Sequence, residues 1–266
     1  MESLHRVRYV RQIRSRELSP LRADPQSELF DPLKAAIINQ RAGRTDEAFW
    51  LIFLFVHFGK NAKGGWRYAR EVYGALGQGA AWSWSNVSKN PAGFRAWFSA
   101  NEATIGRKDP PGGFGNHRKF ETLRTTGAAV ESYVNWVGPP RTHAELVEDA
   151  LHKSGGDPRR TFRFLYDSMD AVVRFGRTAR FDYLSMLGKL ELATIRPDST
   201  YMANATGPAE GARLLFADNP NAPIKDHDLE ELVAELEREL GVGMQVMEDA
   251  LCNWQKSPDV FIPFRG

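Results

Sequence analysis

The sequence predicts an all-α protein, on three observations. No run of residues alternates apolar and polar as a half-buried strand does. Apolar residues recur instead at three- and four-residue spacing. Helix starts recur as an Asx residue followed by proline, at Asp31-Pro32, Asn90-Pro91 and Asp157-Pro158. There the side chain caps free N–H groups and the proline fits the first turn. No internal repeat of fixed period is present.

The elements follow in order. Residues 1–26 form a basic arm, with Arg6, Arg8, Arg11, Arg14 and Arg16 set among apolar residues. Part of such an arm could dock through its apolar residues; otherwise it is disordered, or a phosphate contact. Asp31-Pro32 starts a helix whose stripe is Leu33, Ala36 and Ile37. Thr45 to Lys60 is apolar on nearly every face, so it reads as a central helix buried all round, with His57 a hydrogen-bonded core histidine. Trp66 to Leu76 is amphipathic and Gly77 closes it. Ala81 to Trp97 is rich in tryptophan, which reads as core packing before it reads as base stacking. Gly106 to Asn116, GRKDPPGGFGN, is a basic glycine-rich loop. It lacks the G-x-x-x-x-G-K-[ST] pattern and a preceding strand, so it is no nucleotide P-loop. Val130 to Val137 is helical, and Gly138-Pro139-Pro140 stops it.

The second half opens on a capping box, Thr142-x-x-Glu145. A helix from Asp157-Pro158 runs to about Phe175. Gly176 breaks the chain, Ala179 to Leu187 restarts it, and Pro197-Asp198-Ser199 begins another helix. Thr206-Gly207-Pro208 makes a tight turn before a helix over Ala209 to Phe216. Asp228-x-x-Glu231 caps an acidic helix to Leu240, and Met244 to Lys256 is the last. The tail packs back through Phe261 and Phe264. The division expected is a 1–26 arm, a helical half over 27–140 and a second over 141–266.

Net charge is only +2, so bulk electrostatics demand no nucleic acid. The distribution says more. Residues 1–22 carry six arginines against two glutamates, residues 153–190 eight Lys/Arg against four aspartates, and residues 226–249 nine acids against Arg238 alone. One face can therefore be basic, or these are solvated helix faces. Cys252 is the single cysteine. It excludes an intrachain disulfide and cysteine-held metal clusters and fits a reducing cytoplasm. Ala48 to Phe58 is about half the length that spans a bilayer, so no membrane is expected. The motifs of zinc peptidases, α/β-hydrolases and dinucleotide enzymes are absent, and neither metal nor cofactor is expected.

Phe175 to Phe216 concentrates basic residues, isolated aspartates and a Gly-Pro turn before a small-residue helix. ANATGPAEGARLL is compatible with a degenerate helix-hairpin-helix, a device whose second helix offers N–H groups to a phosphate. A plain helical connection explains it equally. Asp182, Asp198, Glu248 and Asp249 lie in dense, apolar surroundings, where a carboxylate needs a partner or a function. Asp198 could be a helix cap, Asp182 could pair with Arg177 or Arg180, and Glu248 or Asp249 with Lys256 or Arg213. As a set they are expected to include a catalytic residue; the alternative, with all of them structural, is a non-enzymatic helical DNA-binding module.

GRTARFDYL, RPDSTYMANATGPAEGARLLF and GVGMQVMEDALCNWQKSP resemble the α-glutamyl/putrescinyl thymine pyrophosphorylase superfamily, in its clade 3 form. GFGNHRKFE and GAAVESYVNWV extend the likeness over most of residues 45–258. The superfamily is held to be akin to helix-hairpin-helix DNA glycosylases, and bacterial relatives include anti-phage enzymes that excise glucosylated pyrimidines from phage DNA. The resemblance thus implies a helical glycosylase-like architecture and a DNA partner, with no obligate protein partner. It implies either hydrolysis of the N-glycosidic bond or transfer of an amine to an activated hydroxymethyl base with loss of pyrophosphate. The absence of a fused kinase or synthase domain favours the first. On this reading Asp182, Asp198 and Asp249 are the catalytic candidates, and Trp66, His117 and Tyr201 line a base pocket. Arg177, Arg180, Thr206, Gly207 and Arg213 touch the DNA backbone. No lysine stands out as a Schiff-base former, so a monofunctional enzyme is expected.

Overall fold

The computed structural model describes residues 2–203 and 205–260, with Arg6 by its backbone alone. Regular structure among them is helical throughout, and no strand forms. The fold is all-α, as its residue spacing predicts. Phe261 and Phe264 lie outside the described residues.

The basic arm is a helix, α1 (Glu2–Ser15). Ile13 on it is 2% exposed and belongs to the core. Arg14 pairs with Glu191 at 2.6 Å, and Arg41 donates to the carbonyls of Arg14 and Arg16. These contacts dock the helix, which charge alone left undecided. Next come α2 (Pro32–Arg41), capped by Asp31 through Lys34 N–H, and α3 (Thr45–Phe58). Ala48 to Leu54 of α3 are all at most 1% exposed, so it is buried all round. His57 is fully buried with Nε2 3.1 Å from Thr126 Oγ1.

The helix predicted over Trp66 to Leu76 ends early: α4 is Arg67–Tyr73, and Ala75 and Leu76 adopt positive φ. Then follow α5 (Trp84–Val87), α6 (Pro91–Ile105), α7 (Thr126–Val137) and α8 (His143–Lys153), which opens on the Thr142–Glu145 capping box. Next, α9 (Pro158–Ser168) is shorter than predicted, a 3-10 turn over Met169–Ala171 ending it before Phe175. Arg159 and Arg160, at its unfavourable dipole end, donate their backbone N–H groups to Asp157 Oδ1, and the Arg159 guanidinium reaches Glu237 at 3.7 Å.

After α10 (Arg177–Lys189) the chain is irregular to α11 (Thr206–Ala217). No helix starts at Pro197. Thr206-Gly207-Pro208 is the first turn of α11 itself. The acidic helix α12 (Asp226–Leu240) begins before its expected cap, and α13 (Met244–Trp254) is last. One apolar cluster runs from Ile13 to Ile195 around α3, and a smaller one joins α11, α12 and α13 from Met202 to Leu251.

Candidate functional site

A cleft of about 1080 Å³ opens between the large apolar cluster and the polar face of α13. Five elements wall it. α10 contributes Phe181, Asp182, Met186 and Lys189, and α13 contributes Gln245, Glu248 and Asp249. Both sets follow helical spacing, so each helix turns one face to the cleft. The end of α3 brings Phe55, Val56, Gly59 and Lys60, with Trp66 behind. The loop Gly115 to Arg118 and one side of α1 complete the wall.

The loop is held by the glycine-rich segment that precedes it. Arg67, 5% exposed, donates to the carbonyls of Pro111 and Arg107 and pairs with Glu71 at 3.0 Å. Gly112 lies so close to this guanidinium that a Cβ would sit 2.0 Å from it. Gly115 donates to the Phe58 carbonyl at 2.7 Å, at a point where Gly59 and Gly115 meet backbone to backbone. The glycines here allow chain to pack on chain, and the result is a fixed His117-Arg118 edge. Arg118 anchors it further, donating to His57 O and Arg174 O.

The site's electrostatics are mixed. Asp182, Glu248 and Asp249 crowd on one side, while Lys60, His117, Arg118 and Lys189 stand around them. His117 Nδ1 lies 3.8 Å from Asp182 Oδ2, and that carboxylate raises the imidazole's pKa against the effect of burial. Burial pushes the Glu248 carboxyl upward, opposed by Arg177 at 2.6 Å. Burial lowers the Lys189 ammonium to about 8, against the fields of Asp182 and Asp249. Asp249 Oδ1 accepts from Asn253 at 3.1 Å. Such an arrangement can stabilise a developing cation beside a carboxylate and supply a proton from imidazolium. Among the described residues no group of three His, Cys, Asp or Glu has a metal-holding arrangement.

Of the residues the sequence singled out, Trp66, His117, Asp182 and Asp249 meet in this cleft. Asp198 and Tyr201 do not. Asp198 pairs with Arg163 at 2.5 Å and accepts from Tyr201 Oη at 2.6 Å, while the Tyr201 ring lies 3.9 Å from that of Tyr166. Arg177 is engaged internally with Glu248, Thr200 O and Tyr201 O. Arg180 lies 4.6 Å over the Tyr166 ring and pairs with Asp170, and Arg213 bonds Ile224 O and Asp226. Thr206 is exposed, while a Cβ on Gly207 would meet Cys252 Sγ at 2.9 Å. Lys189, Lys60, Arg118 and the α1 wall were missed. The first had a signal: it follows Asp182 by seven residues and so shares its helical face.

The described residues thus form an all-α fold with a large cleft that holds the carboxylates of Asp182, Glu248 and Asp249. The chain belongs to the α-glutamyl/putrescinyl thymine pyrophosphorylase clade 3 family, whose profile matches residues 1–266. That family is named for chemistry on modified thymine. No curated protein and no solved structure matches the chain. No helix among the described residues is long and apolar enough to cross a membrane.

Proposed function

We propose that the protein is a DNA glycosylase that draws a hypermodified pyrimidine, such as a glucosylated hydroxymethyl base, out of phage DNA and excises it in anti-phage defence. The observation that carries this is the convergence of Asp182 and Asp249 with Trp66 and His117 in one cleft of about 1080 Å³. That volume lies just above the range of roughly 300–1,000 Å³ usual for small-molecule sites, so a flipped base with a bulky substituent has room. Trp66 offers an aromatic face. As the C1′–N1 bond breaks, a carboxylate stabilises the oxocarbenium-like sugar or takes a proton from the attacking water. His117, kept protonated to higher pH by Asp182, supplies the proton that the departing base needs. The products are free base and an abasic site, and no cofactor is called for.

Asp182 and Asp249 are the catalytic pair of this reading, and Asp198 holds Tyr201 and Arg163 in place. Arg177, Arg180 and Arg213 act on DNA only indirectly, by fixing elements around the cleft. Exposed Thr206 keeps a backbone contact, joined by exposed Lys60 at the cleft. The family's name supports a substrate among modified bases in DNA.

The test is incubation with DNA bearing glucosylated hydroxymethylcytosine and with unmodified DNA. Free base read by mass spectrometry, with abasic sites or strand breaks at the modified positions, is expected from the modified DNA alone. Release from neither, with an amine incorporated into an activated hydroxymethyl base, would replace excision by transfer.

A further inference from the structure

Lys189 stands in the cleft with no part in the excision just described. It closes α10 seven residues after Asp182, and Met186 lies between them on the same face. Asp249 reaches the cleft from α13 opposite. Among the described residues no hydrogen bond or salt bridge engages the Lys189 side chain, so it is not consumed by an ion pair as Arg177 is. It is partly open to the cleft, yet buried enough that its ammonium pKa falls to about 8. A substantial neutral fraction therefore exists at mildly alkaline pH. An amine so placed, with carboxylates beside it, has the makings of a carbonyl nucleophile.

We propose that Lys189 attacks C1′ of an abasic deoxyribose held in the cleft and cleaves the DNA strand by β-elimination, so that the protein is an abasic-site lyase. The proposal rests on the excision reading for the origin of the abasic sugar, and it replaces the expectation of a monofunctional enzyme. Neutral Nζ adds to the C1′ aldehyde of the ring-opened sugar, and the carbinolamine loses water to give an iminium. Asp182 or Asp249 removes a C2′ proton. The electron pair forms the C2′–C3′ double bond as the C3′–O bond breaks, and the 3′ phosphate leaves with it. Water then hydrolyses the unsaturated iminium, restoring the amine and releasing an unsaturated aldehyde. One water is lost and one regained.

The test uses the full chain, a duplex with one preformed abasic site, and sodium cyanoborohydride. A covalent protein–DNA adduct is expected, mapping to Lys189 by peptide mass spectrometry. Without reductant, the strand should break at the abasic site with no alkali, at a rate that rises through about pH 8. Lys189→Gln should reduce adduct and cleavage to background. No adduct with the unaltered protein, or an adduct mapping to another amine, overturns the proposal. Mapping on the unaltered chain keeps the result decisive even where Lys189→Gln fails to fold. Because the abasic site is preformed, the two readings fail separately. Base release without an adduct removes the lyase alone. An adduct without base release from modified DNA removes excision and leaves the lyase.

Discussion

Arg177 and Glu248 show how single residues divide between scaffold and chemistry. The Arg177 side chain is 9% exposed and its Glu248 partner 16%, with 2.6 Å between them. The pair joins α10 to α13, the two helices that bring Asp182 and Asp249 to the cleft. Removing one member leaves a buried charge unanswered, which costs about 3–5 kcal/mol. Arg177→Ala is therefore expected to destabilise the chain by an amount of that order in urea unfolding, and a loss below about 1 kcal/mol would mean that the pair is solvated. His117 makes the complementary case. It is 59% exposed and Asp182 is 37% exposed, so their contact matters for protonation more than for stability. Asp182→Asn should move the His117 pKa down toward the ordinary imidazole value. An NMR titration of the His117 ring decides this, and an unmoved midpoint would show that Asp182 is not what raises it.

At the scale of elements, the packing of α11 on α13 governs one wall of the site. Gly211 lies so close that an added Cβ would fall 2.3 Å from the Leu251 carbonyl oxygen, a backbone atom that cannot swing aside. Gly211→Ala should cost about 1–3 kcal/mol through overpacking. Gly79, with nothing within 4 Å, is the control, and Gly79→Ala should leave the melting transition in place. A Gly211→Ala protein as stable as the parent would show that the helices separate readily. The same element marks the boundary of what sequence can show. Asp31, Asn90, Asp157 and Thr142 all cap where the sequence placed them, because capping is a local hydrogen bond between neighbours. The Thr206-Gly207-Pro208 turn was misplaced because proline is equally at home inside a first helical turn. Gly207, expected to contact phosphate, also packs on Cys252, a neighbour 45 residues on that no local pattern reveals. Asp182 and Asp249 were legible as carboxylates in apolar surroundings. That they share a cleft while Asp198 turns to Arg163 depends on tertiary packing.

Across the whole molecule, buried histidines tie the packing of the large cluster to pH. His57 on α3 bonds Thr126 of α7, and His143 of α8 bonds Asp46 of α3 and Tyr133 of α7. Burial holds both imidazoles below their ordinary pKa, with Arg118 adding to the effect at His57 and Asp46 opposing it at His143. An unfolded histidine takes up a proton near pH 6.5. Between that pH and the lowered folded values the unfolded chain binds more protons than the folded one. The stability they confer is therefore complete above about pH 6.5 and falls as the pH drops toward the folded pKa values, by up to about 1.4 kcal/mol per pH unit for each group. Glu47 and Glu248 work in the other direction. Their carboxyls are raised, chiefly by burial, so acid relieves a cost that they impose at neutral pH. Their window lies upward from the ordinary glutamate value near 4.5, whereas that of the histidines opens at 6.5. Unfolding free energies measured from pH 7 to 5 should accordingly decline, and His57→Gln should flatten the decline even where it lowers stability at pH 7. An unchanged slope in that variant would move the acid sensitivity of this core away from His57.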